Sequence, residues 1–209
     1  MTAVAIFGVS GRTGGALTAA ARARGWTIRS YARISSVAPS GVAVISGTFG
    51  DVAQIVPVVE SVDAVCCVYG PRAPYVDVFC AAATRAVIAA MQRTPCHRLL
   101  CVTGAMIGDV PTRSRPMAWA RSWFRWRRPA VAQDRDEQEA IVMASDLDWT
   151  IVMPPRLTEA GPSGRVLAGP DLPVGLRSAV SRADLAAFML DEIATPRFVR
   201  ERIIVQQGH

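Results

Sequence analysis

Three glycines near the start of the chain, Gly8, Gly11 and Gly14, have the spacing and context of a phosphate-binding turn. An apolar run at residues 4–7 precedes them, and a helix-compatible stretch at residues 13–24 follows. Glycines at such positions allow a tight turn, let the backbone approach a pyrophosphate and bring the helix close to the strand, while free amides at the helix start donate to an anion. The pattern predicts a dinucleotide site, with a glycine-rich turn that holds no ligand as the alternative.

The end of the second predicted strand bears on which dinucleotide is bound. NAD sites usually carry an acidic residue there, about 20 residues beyond the glycines, but this chain has Arg33. A guanidinium binds phosphate in a forked geometry, so Arg33, with Arg12, Ser35 and Ser36, suits the additional phosphate of NADP. We therefore expect NADP(H), although Arg33 could also be a solvated surface residue.

The elements that must position these residues alternate between strand and helix. Strands are predicted at residues 4–7, 27–32, 42–45, 64–69, 99–102, 149–153 and 202–206, and helices at 13–24, 51–60, 75–92, 134–145 and 182–194. This alternation implies right-handed crossovers and a Rossmann-like, doubly wound, mostly parallel α/β sheet. With 209 residues, the chain is expected to be a single NAD(P)-binding domain over 1–209.

The composition excludes several kinds of chemistry. The chain has 23 arginines but no lysine, so Schiff-base catalysis and a Walker A loop are impossible, and His97 and His209 alone cannot form a three-histidine metal site. We expect no metal. The five cysteines show no C-x-x-C spacing and are expected to be reduced structural thiols. Because no apolar run approaches the roughly 18 residues of a membrane span and no signal peptide is evident, we expect a cytoplasmic protein.

The pattern breaks at about residues 105–130 into a long connection, a basic aromatic insertion. It contains Trp119, Trp123, Phe124 and Trp126 among Arg113, Arg115, Arg121, Arg125, Arg127 and Arg128. Such side chains can stack on bases, lie on anionic lipid or cover a flat ligand. Its place after the fifth strand favours a substrate lid or a subunit contact. Nucleic-acid binding is disfavoured because no recognised module accompanies the insertion, and a membrane-surface role ranks equally low.

Several blocks of sequence together resemble a known family. These are residues 5–8 with the glycine turn, 63–65, 102–103, 147–155 (LDWTIVMPP) and 181–190 (SRADLAAFML). In order and spacing they are similar to the atypical, NAD(P)H-binding (NmrA-like) branch of the short-chain dehydrogenase/reductase superfamily, and within it to the biliverdin-IX-beta/flavin reductases. The resemblance covers nearly the whole chain.

The resemblance implies hydride transfer from NADPH to a small planar acceptor, such as a flavin, quinone or bilin, bound at the ends of strands four to six. The serine that such reductases carry after the fifth strand is replaced by Gly104, and a histidine after the double proline is replaced by Arg156. The superfamily's catalytic tyrosine–lysine pair is impossible without lysine.

Two residues are catalytic candidates. Thr103 follows a central strand, where open α/β sheets bind ligands, and Arg156 could steady an anionic group. A backbone-satisfied threonine and a surface arginine are the respective alternatives. The cofactor-binding candidates are Gly8, Ser10, Gly11, Arg12, Thr13, Gly14, Arg33, Tyr69, Gly70, Thr103, Gly104, Met153, Pro154 and Pro155.

Two other functions stay open: a catalytically silent NADP-binding sensor, and a non-redox enzyme such as an isomerase. For the chain as a whole we expect a small-molecule substrate and either a monomer or a homodimer. Asp134, Asp136, Glu137 and Glu139 are expected at the start of a helix, where carboxylates complement the dipole and offset nearby arginines rather than act as acids or bases.

Overall fold

One eight-stranded sheet organises the chain. The computed structural model describes residues 2–33, 42–48, 50–71, 78–107, 110, 112 and 115–208. The strands are β1 (Ala3–Phe7), β2 (Thr27–Arg33), β3 (Ala43–Gly47), β4 (Ala64–Cys67), β5 (Arg98–Val102), β6 (Asp148–Met153), β7 (Arg156–Thr158), β8 (Val166–Gly169), β9 (Ala179–Ser181) and β10 (Glu201–Gln207). The helices are α1 (Arg12–Ala23), α2 (Val52–Val59), α3 (Cys80–Met91), α4 (Arg115–Arg127), α5 (Pro129–Met143) and α6 (Arg182–Ala194).

The strand order is that of a doubly wound sheet. It runs β3-β2-β1-β4-β5-β6-β10-β8, with all neighbours parallel except the antiparallel pair β10 and β8. A separate pair of short parallel strands, β7 and β9, lies beyond it. The predicted Rossmann-like architecture is confirmed. Because the order reverses between β1 and β4, the carboxyl ends of these two strands form the crevice in which such folds bind ligands.

Apolar side chains on both faces of the sheet hold the helices in place. In β1, Ala5 and Phe7 belong to the core shared with α2, α3 and α5, whereas Val4 and Ile6 belong to the core shared with α1 and α6. This alternation follows from the two-residue period of a strand. The sheet is therefore covered on both sides, as its continuous apolar strands require.

All five cysteines are buried and free, as the sequence predicts. Burial raises the pKa of the Cys67 thiol to about 12 and that of Cys96 to about 11. These thiols are therefore protonated at neutral pH and contribute to the core rather than acting as nucleophiles.

The starts of α3 and α5 differ from the prediction for identifiable reasons. The carboxylate of Asp134 accepts hydrogen bonds from the backbone N–H groups of Cys80 (3.0 Å) and Ala81 (3.1 Å), which fixes the start of α3 at Cys80 rather than at residue 75. Residues 75–77 of the predicted helix lie outside the described residues. Helix α5 begins at Pro129, not at residue 134, since proline is well suited to a first helical position.

The early start of α5 makes one prediction wrong. Asp134, Asp136, Glu137 and Glu139 lie in the middle of the helix, and its first turn holds no acidic residue. They do not complement the dipole, but they do offset arginines as expected, for example in the 2.8 Å ion pair between Glu137 and Arg85.

The sequence also missed structure in two segments. Much of the predicted long connection is helix α4, although residues 108–109, 111 and 113–114 lie outside the described part of the chain. The short strands β7, β8 and β9 have three or four residues each, too few to show a clear period. None of the helices in the described residues is both long and apolar enough to cross a membrane.

Candidate functional site

The glycine turn joins β1 to α1 so closely that side chains do not fit. Gly8 has φ +101°, and a Cβ there would lie 2.8 Å from the backbone N of Tyr69 on the neighbouring strand end. A Cβ on Gly14 would lie 2.1 Å from the carbonyl oxygen of Gly8. Both positions therefore require glycine, one for its conformation and both for the close approach of backbone segments.

The first turn of α1 presents its amides at the crevice between β1 and β4. Gly11 precedes the helix in an extended conformation, and no side chain caps the helix start. The Gly11 N–H donates to the Gly8 carbonyl (2.9 Å) and the Gly15 N–H to the Gly11 carbonyl (2.8 Å). No acidic residue lies in the first turn. The amides of the intervening residues and the positive end of the helix dipole therefore fit a pyrophosphate group.

Arg12, the first residue of α1, forms an ion pair that the sequence did not suggest. Its guanidinium lies 3.1 Å from the carboxylate of Glu159, which also pairs with Arg182 at 2.7 Å. The Arg12–Glu159 pair is exposed, and exposed pairs contribute little to stability. Arg12 can therefore exchange Glu159 for a phosphate group at small cost.

A partly buried chain of polar side chains begins at Thr103, just beyond β5. The Thr103 hydroxyl donates to Glu139 Oε1 at 2.7 Å, and Glu139 Oε2 lies 2.9 Å from Arg202 of β10. Glu139 is buried, so the arginine compensates its charge. The hydroxyl proton of Thr103 is donated to Glu139. Toward any other group, the Thr103 oxygen can therefore only accept a hydrogen bond.

Arg135 of α5 ties the carboxyl ends of β4 and β5 together. Its guanidinium donates to the carbonyl oxygens of Tyr69 (3.3 Å) and Val102 (3.4 Å), and also to Gln138 Oε1 (2.6 Å). A Cβ on Gly70 would lie 2.6 Å from Arg135 Nη2, so the glycine makes room for this contact. Arg135 therefore fixes the relative position of these two strand ends, where a ligand would bind.

The predicted cofactor residue Tyr69 contacts the turn through its backbone. Its hydroxyl forms a 2.7 Å hydrogen bond with the Thr84 hydroxyl, and burial raises its pKa well above the ordinary value. The ring packs against Phe79, with the centroids 5.9 Å apart. The side chain of Tyr69 thus belongs to the core and does not point into the crevice.

The remaining predicted residues fall into three groups. Gly104 lies just beyond β5, Met153 ends β6, and Pro154 and Pro155 follow β6. The Ala105 N–H donates to the Pro154 carbonyl (3.0 Å), which holds the two segments side by side beyond the strands. Gly8, Ser10, Gly11, Arg12, Thr13 and Gly14 form the turn and the start of α1. Arg33 ends β2, but its side chain, like Ser35 and Ser36, lies outside what the structure describes.

Arg156 is separate from the Thr103 chain. It begins β7 with an exposed side chain, and its backbone N–H donates to the Ser178 carbonyl at 3.4 Å. Among the hydrogen bonds and ion pairs of the described residues, none joins Arg156 to Thr103. The structure instead brings Glu139 and Arg202 to Thr103, two residues that sequence reasoning did not assign to the site.

Sheet order and glycine turn together define a Rossmann-type dinucleotide-binding protein. The family model described as NAD(P)H-binding matches residues 8–196, and the chain belongs to this family. The NAD(P)H-binding family that the sequence resemblance predicts is thus confirmed.

Solved structures share this fold over almost their entire length. The chain is similar to an anaerobilin reductase, ChuY, from Escherichia coli O157:H7 (18% identity, TM-score 0.81, covering 99% of this chain and 98% of that chain). A short-chain dehydrogenase/reductase from Veillonella parvula in complex with NADP has 20% identity and a TM-score of 0.79, with 99% and 95% covered. A protein from Burkholderia pseudomallei has 24% identity and a TM-score of 0.78, with 99% of this chain and 100% of that chain covered.

Neighbouring glycines of α1 provide a matched pair for testing the turn. We expect Gly14→Ala to destabilise the protein by about 1–3 kcal/mol or more and to abolish NADPH binding, because its Cβ meets the Gly8 carbonyl. Gly15→Ala places its methyl group in open space and should bind NADPH like the wild type, with an unchanged or higher melting temperature. Thermal unfolding and the fluorescence of bound NADPH measure both effects. Wild-type NADPH affinity in Gly14→Ala would contradict this account of the turn.

Proposed function

We propose that the chain is an NADPH-dependent reductase that transfers a hydride to a small planar acceptor of the flavin, quinone or bilin class. The observation that carries the proposal is the position of the Thr103–Glu139–Arg202 chain. It lies at the carboxyl end of the central strands, next to the crevice that the glycine turn opens. The anaerobilin reductase activity of the similar ChuY protein supports an acceptor of this kind.

Two arginines support NADP(H) as the cofactor. Arg33 ends β2, where NAD sites usually carry a carboxylate, and the residues beside it, Tyr31 and Ala32, are also not acidic. Arg12 lies at the start of α1, with only an exposed ion pair to exchange. A guanidinium binds phosphate in a forked, charge-assisted geometry, so an arginine at each of these positions suits the additional phosphate of NADP. The NADP bound to the similar Veillonella protein agrees with this assignment.

In this proposal Thr103 orients the reactants rather than acting as an acid. Its hydroxyl proton is donated to Glu139, so its oxygen accepts a hydrogen bond from an N–H group of the nicotinamide amide or of the acceptor. Arg202 forms an ion pair with Glu139 and so holds the carboxylate in place to accept the Thr103 proton, which keeps the Thr103 hydroxyl in this orientation. When bound, the reduced nicotinamide supplies the hydride, and water supplies the proton that completes reduction of the acceptor.

Arg156 and the preceding prolines are proposed to select the acceptor. Pro154 is buried and Pro155 is half-buried, so the backbone that leads to Arg156 has little freedom. The exposed guanidinium can attract a carboxylate or enolate of an acceptor at the site entrance.

A catalytically silent NADP-binding sensor is the second candidate. It is favoured by Gly104, which occupies the position of the serine in related reductases and has open space where a side chain would stand. Without that hydroxyl, cofactor binding does not ensure catalysis.

Turnover separates the two candidates. The purified chain, mixed with NADPH and a panel of flavins, quinones and bilins, should oxidise NADPH in an acceptor-dependent manner, which the absorbance of the reduced nicotinamide reports. Reactions without protein and without acceptor are the controls. Tight NADPH binding with no turnover across the panel would contradict the reductase and favour the sensor.

Variants of Thr103 test its proposed role. Thr103→Val removes the acceptor oxygen and should lower kcat about tenfold or more, because an oriented hydrogen bond in a site is worth about 1–2 kcal/mol. Thr103→Ser keeps the hydroxyl and should retain most activity. Melting temperatures show whether either variant is unfolded. Equal kcat values for Thr103→Val and the wild type would remove Thr103 from the site.

A further inference from the structure

Helix α4 carries a stripe of exposed tryptophans. Trp119, Trp123 and Trp126 are spaced four and three residues apart, so they project from one side of the helix. Their exposed fractions are 70%, 51% and 73%. Three exposed rings on one side of a helix form a contiguous apolar patch. Single exposed apolar residues are common on protein surfaces, but contiguous patches mark interaction sites.

The other side of α4 attaches the helix to the protein. Met117 is buried, and Arg121 Nη1 donates to the Val110 carbonyl at 2.9 Å. Arg125 donates to the Ile107 carbonyl and forms a two-point contact with Asp136 of α5. The tryptophan stripe therefore points outward from a helix whose orientation is fixed by its inner side.

The surroundings of the stripe are cationic. Helix α4 contains no acidic residue. Since successive residues of a helix are rotated by roughly 100°, Arg115 and Arg127 lie on opposite borders of the stripe. Both arginines are exposed. Arg128, which follows the helix, is also exposed. A second copy of this face would bring like charges together, so charge complementarity favours an anionic partner over self-association.

We propose that α4 docks the protein on the surface of an anionic phospholipid bilayer. Tryptophan rings prefer the headgroup level of a membrane, and arginines beside them can pair with lipid phosphates. The arrangement is that of a helix lying in the interface plane, with an apolar stripe in the middle and cations at its borders. Single-stranded nucleic acid also attracts aromatic and arginine side chains, but no recognised nucleic-acid-binding module accompanies the helix.

Docking at α4 brings the candidate site close to the lipid surface. The helix is anchored at Ile107, whose N–H donates to the carbonyl of Gly104, the residue after Thr103. A bilayer under α4 would therefore deliver a lipid-dissolved acceptor, such as a quinone, to this end of the sheet. This consequence rests on the proposed reductase, whereas the docking itself does not.

Vesicle binding tests the docking. The full chain is sedimented with vesicles of phosphatidylcholine alone and with vesicles of equal parts phosphatidylcholine and phosphatidylglycerol. We expect binding to the anionic vesicles only, with a blue shift of tryptophan fluorescence and weaker binding at high salt. Arg115→Glu/Arg127→Glu should reduce binding about tenfold or more, as should Trp119→Ser/Trp126→Ser.

Matched controls use exposed residues outside α4. Arg93→Glu/Arg177→Glu makes the same change of charge, and Leu176→Ser removes an exposed apolar side chain. Both should bind anionic vesicles far better than the corresponding α4 variants. NADPH binding, measured on all variants, shows that the cofactor site is intact and separates failure of docking from failure of the proposed reductase.

Four results would overturn the docking: no sedimentation with anionic vesicles, equal loss of binding in the control variants, binding of a single-stranded oligonucleotide without binding of vesicles, or a wild-type dimer that Trp119→Ser/Trp126→Ser converts to monomer.

Discussion

The close contact between β1 and α1 is the constraint on which the candidate site depends. Gly14 lies against the Gly8 carbonyl, and Gly8 adopts a positive φ beside the end of β4. This contact directs the first turn of α1 at the crevice between β1 and β4, and that turn contains no acidic residue of its own. Packing of a helix on a strand and exposure of its amides to an anion are thus two results of the same geometry.

Charged residues from distant parts of the sequence fix the other side of the crevice. Arg135 joins the ends of β4 and β5, and Glu139 joins Thr103 to Arg202 of β10. Buried charges of this kind are weak evidence for stability, since their desolvation offsets much of their attraction. Their value here is geometric, because they hold the strand ends that would carry the nicotinamide and the acceptor.

Much of the fold could be predicted because its signals are local. The apolar runs of β1 and β4 and the glycines before α1 each show their structure within a few residues, and alternation of strands and helices determines the parallel sheet. The start of α3 could not be predicted, because it depends on Asp134, a residue more than fifty positions further along the chain. Helix α4 was predicted as a connection because of its many arginines, although Trp119, Trp123 and Trp126 have helical spacing.

In the candidate site, too, some residues have local sequence signals and others depend on tertiary packing. The turn and the cofactor class follow from Gly8, Gly11 and Gly14, whereas the partners of Thr103 arise only when α5 and β10 pack together. Glu139 was predicted near the start of a helix, and that position gave no reason to pair it with Arg202 of a distant strand.

The most direct test of this account is an equilibrium titration of the unmodified chain with NADPH and, separately, with NADH. We expect saturable binding of one NADPH per chain. NADH should bind clearly more weakly, because β2 does not end in a carboxylate that could accept hydrogen bonds from the ribose hydroxyls. No binding of either cofactor would contradict the assignment of the glycine turn, and equal or tighter binding of NADH would contradict the role of Arg33.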